Sequence, residues 1–337
     1  MPELLTTSET VAAPGAERPR RLRANPALRR LVRETRLDPA QLIAPLFVIS
    51  GRERAVDIAS LKGHARVTPD LAVREAHRLA EVGVGGVLLF GIPDAKDAMG
   101  SGAADPRGPV PETLRLLRKE RLPLVLAADV CLCEYTSHGH CGVLDGERID
   151  NDASLPLLAA AAAAYAEAGA ELVGPSAMMD GQVGALRARL DDSGHGDTAI
   201  LAYASKHASV FYGPFREAAG SAPSFGDRKS YQMDPANGRE AMREMEMDAD
   251  EGADILMVKP AGTSLDLLAM ARERFDLPLA AYQVSGEAAM IEAAAERGWV
   301  NRDGAIVESL TAIVRAGASI VITYFAADAA RLSRPGQ

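Results

Sequence analysis

Eight short runs of nearly unbroken Val, Ile, Leu and Ala, spaced through residues 42–325, constrain this chain more than any other feature. They are LIAPLFVI (42–49), GVLLFGI (86–92), LPLVLAADV (122–130), AELVGP (170–175), AILAYAS (199–205), ADILMVK (253–259), LPLAAYQV (277–284) and ASIVITYF (318–325). A strand with one wet face alternates apolar and polar residues. These runs do not alternate, so they read as strands buried on both faces of a parallel sheet. Amphipathic segments at 70–82, 109–120, 154–168, 182–190, 238–251, 264–275, 287–297 and 303–316 lie between them. Several start at capping residues, among them Thr68, Asp152 and Ser264, and several end near Gly. Such alternation specifies right-handed βα units, and eight of them point to a closed (β/α)8 TIM barrel. An open doubly wound sheet would want a Gly-rich loop after its first strand, and FVISGRERAV provides no G-x-G-x-x-G.

Ahead of the first run the chain is polar and rich in Pro, Ala and Arg, so residues 1–36 are expected to form an extended N-terminal arm, partly disordered or packed on a neighbouring subunit. Residues 37–337 form the barrel. A net charge of −9 argues against nucleic acid or an anionic membrane as partner, despite the basic run RPRRLR at 18–23. No run approaches the roughly 20 apolar residues of a membrane span. The first residues lack the charged-then-apolar pattern of a secretory signal, so a reducing cytoplasm is the expected setting.

In a (β/α)8 barrel the chemistry gathers where strands end. Asp129 lies at the end of the third run and leads into CLCEYTSHGHC, which holds every cysteine of the chain: Cys131, Cys133 and Cys141. In a reducing compartment clustered thiols are metal ligands or catalysts rather than disulfides. Three thiolates suit zinc and leave a fourth tetrahedral position. That position is either open, as in catalytic sites, or filled by His138 or His140, as in a structural site.

The fifth run is followed by Lys206 and the sixth ends at Lys259. A lone lysine there would reach for water. Two at adjacent strand ends lower each other's proton affinity, which favours the neutral amine that attacks a carbonyl. The seventh and eighth runs end near Ser285 and Tyr324. Between Lys206 and the next helix lies FYGPFREAAGSAPSFGDRKSYQMDP (211–235), too long and aperiodic for a simple connection and therefore read as a lid. Its Arg216, Arg228, Lys229 and Gln232 are candidates for holding a carboxylate. Asp180, before the helix at 182, reads as its cap.

These blocks, DVCLCEYTSHGHCG, YASKHASVFYGPFREAA, GDRKSYQMDPANGREAMRE, GADILMVKPAG and AYQVSGE, resemble the porphobilinogen synthase (5-aminolevulinate dehydratase) family from about Arg18 to the end. The resemblance implies a barrel whose N-terminal arm wraps a neighbour in a homo-octamer, condensing two 5-aminolevulinate molecules to porphobilinogen. It implies that Lys259 forms the first Schiff base and Lys206 the second. Ser285 and Tyr324 would hold one carboxylate; Arg216, Arg228 and Gln232 would hold the other. Asp129 would move protons or orient a lysine. The retained cysteines imply the zinc branch, and Glu244 matches an allosteric magnesium ligand. The chain departs from the family at GPSAMMDG (174–181), where Gly174 and Ala177 replace Ala and Asp.

Overall fold

A computed structural model describes residues 17–333. All eight apolar runs contain strands: β1 (Leu42–Ile49), β2 (Gly86–Ile92), β3 (Val125–Val130), β4 (Leu172–Pro175), β5 (Ala199–Lys206), β6 (Ile255–Lys259), β7 (Leu279–Gln283) and β8 (Ile320–Thr323). Each pairs in parallel with the next, and Leu42 and Ile43 of β1 lie opposite Val321 and Ile322 of β8, closing the barrel. The expected boundaries were generous at several ends. Tyr324 and Phe325 leave the ladder after Thr323, and Ser285 already belongs to a helix.

Helices cover the outside: α1 (Pro69–Glu81), α2 (Pro109–Glu120), α3 (Asn151–Ala168), α4 (Gln182–Asp192), α5 (Gly238–Asp250), α6 (Leu265–Arg274), α7 (Ser285–Glu296) and α8 (Arg302–Ala316). Proline opens α1 and α2, where its missing N–H costs nothing. Two capping expectations change. Asp150, not Asp152, caps α3, accepting from Ala153 N at 3.0 Å. Asp180 does not cap α4: Gly181 is the N-cap residue with φ +78°, and the Glu251 carboxylate accepts from Gly184 N at 3.0 Å.

A feature absent from the sequence reading sits after β1. Strands Ala55–Asp57 and Ala65–Val67 form an antiparallel hairpin whose second strand pairs with Phe47 and Val48, at the C-terminal end of the barrel. It grips the short helix Gly213–Ala218 of the expected lid. Glu217 accepts from Ala59 N (3.1 Å) and Ser60 N (3.3 Å), and Arg66 donates to the carbonyls of Ala218 (2.6 Å) and Glu217.

By compactness the chain divides at Arg36/Leu37. Within the first unit the described residues form a 3₁₀ turn, Pro19–Arg23, and a helix, Pro26–Leu31, capped by Asn25 Oδ1 accepting from Leu28 N at 2.8 Å. Residues 1–16 of the expected arm lie outside the described residues. Among the described residues no helix is long and apolar enough to cross a membrane.

Candidate active site

Lys206 and Lys259 are register partners on neighbouring strands, so both side chains enter the barrel at the same level. Both are buried. The Lys206 ammonium donates to the Ser176 carbonyl, beyond the end of β4. Lys259 Nζ lies in an aromatic cage, 4.1 Å from the Tyr282 ring centre, 5.0 Å from Tyr203 and 5.3 Å from both Tyr212 and Phe215. Ring faces attract a cation, whereas burial penalises it. Burial and the Lys206 charge bring the Lys259 ammonium down to about 7.

Across the mouth, Asp129 accepts from the Ser176 hydroxyl at 2.9 Å. Burial raises its pKa, and the charges of Lys206 and Lys259 oppose that rise. Its Oδ1 and the Tyr203 hydroxyl complete no hydrogen bond among the described residues, although Tyr203 stands near enough to favour the carboxylate. Ser176 thus links Asp129 to Lys206, one through its hydroxyl and the other through its carbonyl.

Cys131, Cys133 and Cys141 are buried, free, and have sulfurs within 4.8 Å of one another. Three ligands of one tetrahedral ion at about 2.3 Å would stand roughly 3.8 Å apart, inside the span these sulfurs already cover, so small adjustments would suffice. Cys131 Sγ and Cys133 Sγ stand 3.4 Å apart and would separate slightly. The neighbouring Cys131 and Cys133 thiols hold Cys141 well below the ordinary thiol range, while burial pushes Cys131 up. The cluster therefore has one sulfur disposed to be thiolate. The histidines supply no fourth ligand here. His138 turns its Nε2 to the Ala98 carbonyl at 3.2 Å, and both ring nitrogens of His140 engage the lid.

The lid candidates separate. Arg228 is buried and donates to the carbonyls of Gly139 (2.9 Å) and Ser221 (2.6 Å). Its Nε, the Nε of half-buried Arg216, and both amide atoms of buried Gln232 find no hydrogen-bond partner among the described residues. Buried donors are rarely left so, and their orphan state marks a place for a polar ligand. Lys229 instead points outward, beside Asp227 at 3.8 Å. The Ser285 hydroxyl accepts from Phe215 N at 2.9 Å, and the Tyr324 hydroxyl accepts from Tyr282 at 3.3 Å.

Glu244 lies on α5. It borders a cavity of about 280 Å³ also lined by Asp180, Glu240, Asp248 and Glu251. Burial raises Glu244, and burial with Glu251 and Glu244 holds Asp248 protonated up to about 8.

The aromatic cage was missed from sequence. Tyr203 and Tyr282 sit inside apolar runs and read as core; a hydroxyl on an inward-facing strand position was the available signal. Buried Glu134, which accepts from Cys133 Sγ at 3.3 Å, is likewise not evident from sequence. Its place directly after C-x-C was the clue.

Paired buried lysines beside a thiol cluster at the C-terminal mouth of a parallel barrel make up the candidate site of a barrel enzyme. Residues 16–332 match the family described as Delta-aminolevulinic acid dehydratase. A relative of that description from Streptomyces coelicolor is 54% identical over 325 residues, covering 95% of this chain and 98% of the relative. Another, from Methanothermobacter thermautotrophicus, is 55% identical over 315 residues, covering 93% and 96%. The crystal structure of delta-aminolevulinic acid dehydratase (porphobilinogen synthase) from Toxoplasma gondii, in complex with porphobilinogen, superposes with a TM-score of 0.91 at 45% identity, covering 94% of this chain and 92% of that one. The chain belongs to the delta-aminolevulinic acid dehydratase family.

Proposed function

We propose that this enzyme joins two molecules of 5-aminolevulinate into porphobilinogen, releasing two waters, in the reducing cytoplasm as a step of tetrapyrrole synthesis. The register pairing of Lys206 with Lys259 inside one buried mouth carries this reading. Each amine attacks the ketone of one substrate, expelling its carbonyl oxygen as water and leaving an iminium carbon that accepts electrons during bond formation. Lys259 takes the molecule that becomes the propionate side, with its carboxylate against Ser285 and Tyr324. Lys206 takes the other, whose carboxylate meets Arg216, Arg228 and Gln232 under the lid.

Asp129, linked through Ser176 to Lys206, would accept and return protons as each amine changes state; the contacts through Ser176 support this. The lid excludes water and fixes two similar molecules in one mutual orientation. Cys131, Cys133 and Cys141 would hold zinc, whose chemistry when bound is that of a Lewis acid. Glu244, with the carboxylates around it, would hold an allosteric magnesium. The arm would pack on a neighbouring subunit of a homo-octamer.

The test is borohydride reduction in the presence of 5-aminolevulinate, followed by peptide mass spectrometry. A reduced adduct is expected on Lys259, with a second on Lys206 at high substrate. An unmodified Lys259 would sink the mechanism. Separately, full activity after thorough chelation would remove zinc from it.

A further inference from the structure

The thiol loop contributes two buried histidines that the reaction above does not use. The His140 ring bridges two points of the lid. Its Nε2 lies 3.1 Å from the Phe225 carbonyl oxygen. A carbonyl only accepts, so Nε2 carries the hydrogen. Nδ1 then offers a lone pair, and the Tyr231 hydroxyl stands 3.1 Å away to donate to it. The neutral imidazole satisfies both contacts at once. The ring also packs against Phe225, with centroids 4.6 Å apart.

The flanking backbone repeats the attachment. Ser224 N donates to the His138 carbonyl at 2.9 Å, and Arg228 donates to the Gly139 carbonyl at 2.9 Å. Gly139 has φ +72°, and a Cβ there would stand 2.3 Å from the Ala222 carbonyl oxygen. Loop and lid approach too closely there for any side chain. His138 is itself fixed: its Nδ1 accepts from His140 N at 3.2 Å.

We propose that His140 is a positioning residue that couples the order of the thiol loop to closure of the lid. Cys141, the next residue, is one of the three sulfurs, so whatever immobilises the cluster also immobilises His140. His140 in turn holds the segment that bears Arg228 and Gln232. What closure accomplishes rests on the function proposed above, but the latch contacts do not require it.

Hydrogen–deuterium exchange on the full chain tests this, comparing lid peptides within 219–233 with barrel peptides, metal-free and with added zinc. Loss of two hydrogen bonds in His140→Ala is expected to speed lid exchange roughly tenfold in both states. The response of the lid to zinc should vanish while zinc remains bound. The KM for 5-aminolevulinate should rise more than kcat falls. His140→Gln, whose amide nitrogen can still donate to Phe225, should recover part of the protection. Tyr231→Phe, which leaves the loop sequence intact, should lose part of it. Lid exchange unchanged by both His140→Ala and Tyr231→Phe overturns the latch, and a wild-type zinc response in His140→Ala overturns the coupling. If the wild type binds no zinc, the zinc assignment fails while the metal-free comparison still decides the latch. If His140→Ala unfolds the barrel peptides, Tyr231→Phe decides alone.

Discussion

A lysine amine attacks a carbonyl only when it is unprotonated, and for Lys259 its surroundings decide how often that is. Burial and the Lys206 cation bring its pKa to about 7, against the pull of Asp129. Below that pH the ammonium dominates, so adduct formation at Lys259 should climb as pH rises through about 7 and then level off. Replacing Lys206 by Met removes the neighbouring charge and should move the inflection upward. Trapping yield at Lys259 against pH reads this directly, even where turnover is lost; an unmoved inflection would show that burial acts alone. Under the proposed mechanism Lys259→Met should cost roughly 10⁴-fold or more in turnover, since no other group would replace the nucleophile. The lysines and cysteines were legible in the sequence because polar groups at the ends of apolar runs have little structural reason to be there. Gly174 was legible only as a departure. Its Cβ would lie 3.0 Å from the Tyr203 ring, so Gly174→Ala should press Tyr203 and destabilise the fold by about 1–3 kcal/mol, read as a lower denaturation midpoint.

Secondary elements divide by how much of their character is local. The barrel strands were readable because burial on both faces leaves an uninterrupted apolar run. The hairpin Ala55–Asp57/Ala65–Val67 was not, because its three-residue strands are partly or fully exposed and carry no periodic signal. Its order comes from tertiary partners, chiefly β1 and Glu217. Lid residues were likewise visible as a composition, but which cations turn inward was not: Arg228 and Lys229 are adjacent and point to opposite environments. Helix α5 offers a test at this scale. Glu244 and Asp248 stand four residues apart on one helical face, and Glu251 adds a third carboxylate. Asp248 keeps its proton to about 8 when folded, against an ordinary value of 3.8. The unfolded chain therefore sheds this proton first, and stability attributable to Asp248 declines as pH climbs from about 4 to 8. Asp248→Asn should raise the melting temperature at pH 9 by a few degrees, as for about 1 kcal/mol in a chain of this size, and do little at pH 4. Magnesium should stabilise the protein more at pH 8.5 than at pH 6, where proton and cation compete, and Glu244→Gln should weaken that response. A magnesium effect that is equal at both pH values would detach the cation from this cluster.

The whole molecule poses a question its barrel does not answer. Residues from Leu37 onward form a compact unit with a continuous core running from Leu42 to Ala330. Among the described residues of the first unit, the 3₁₀ turn and the helix contain no buried residue, and Leu22, Leu31 and Val32 are exposed, Leu31 to 77%. Six residues of helix are too few to persist on propensity alone. Apolar side chains on so short an element gain free energy only against another surface, and a second copy of this chain offers one in fixed stoichiometry. Removing residues 1–36 should therefore leave the barrel's circular dichroism and melting cooperativity intact while the solution mass falls to a smaller assembly. Light scattering on the truncated and full chains measures this. Replacing Leu31 and Val32 by Ser should shift the same equilibrium partway without changing chain length, because about 0.8 kcal/mol is lost for each buried methylene exposed. A truncated chain of undiminished assembly size would place the subunit contacts on the barrel itself and leave the arm without that role.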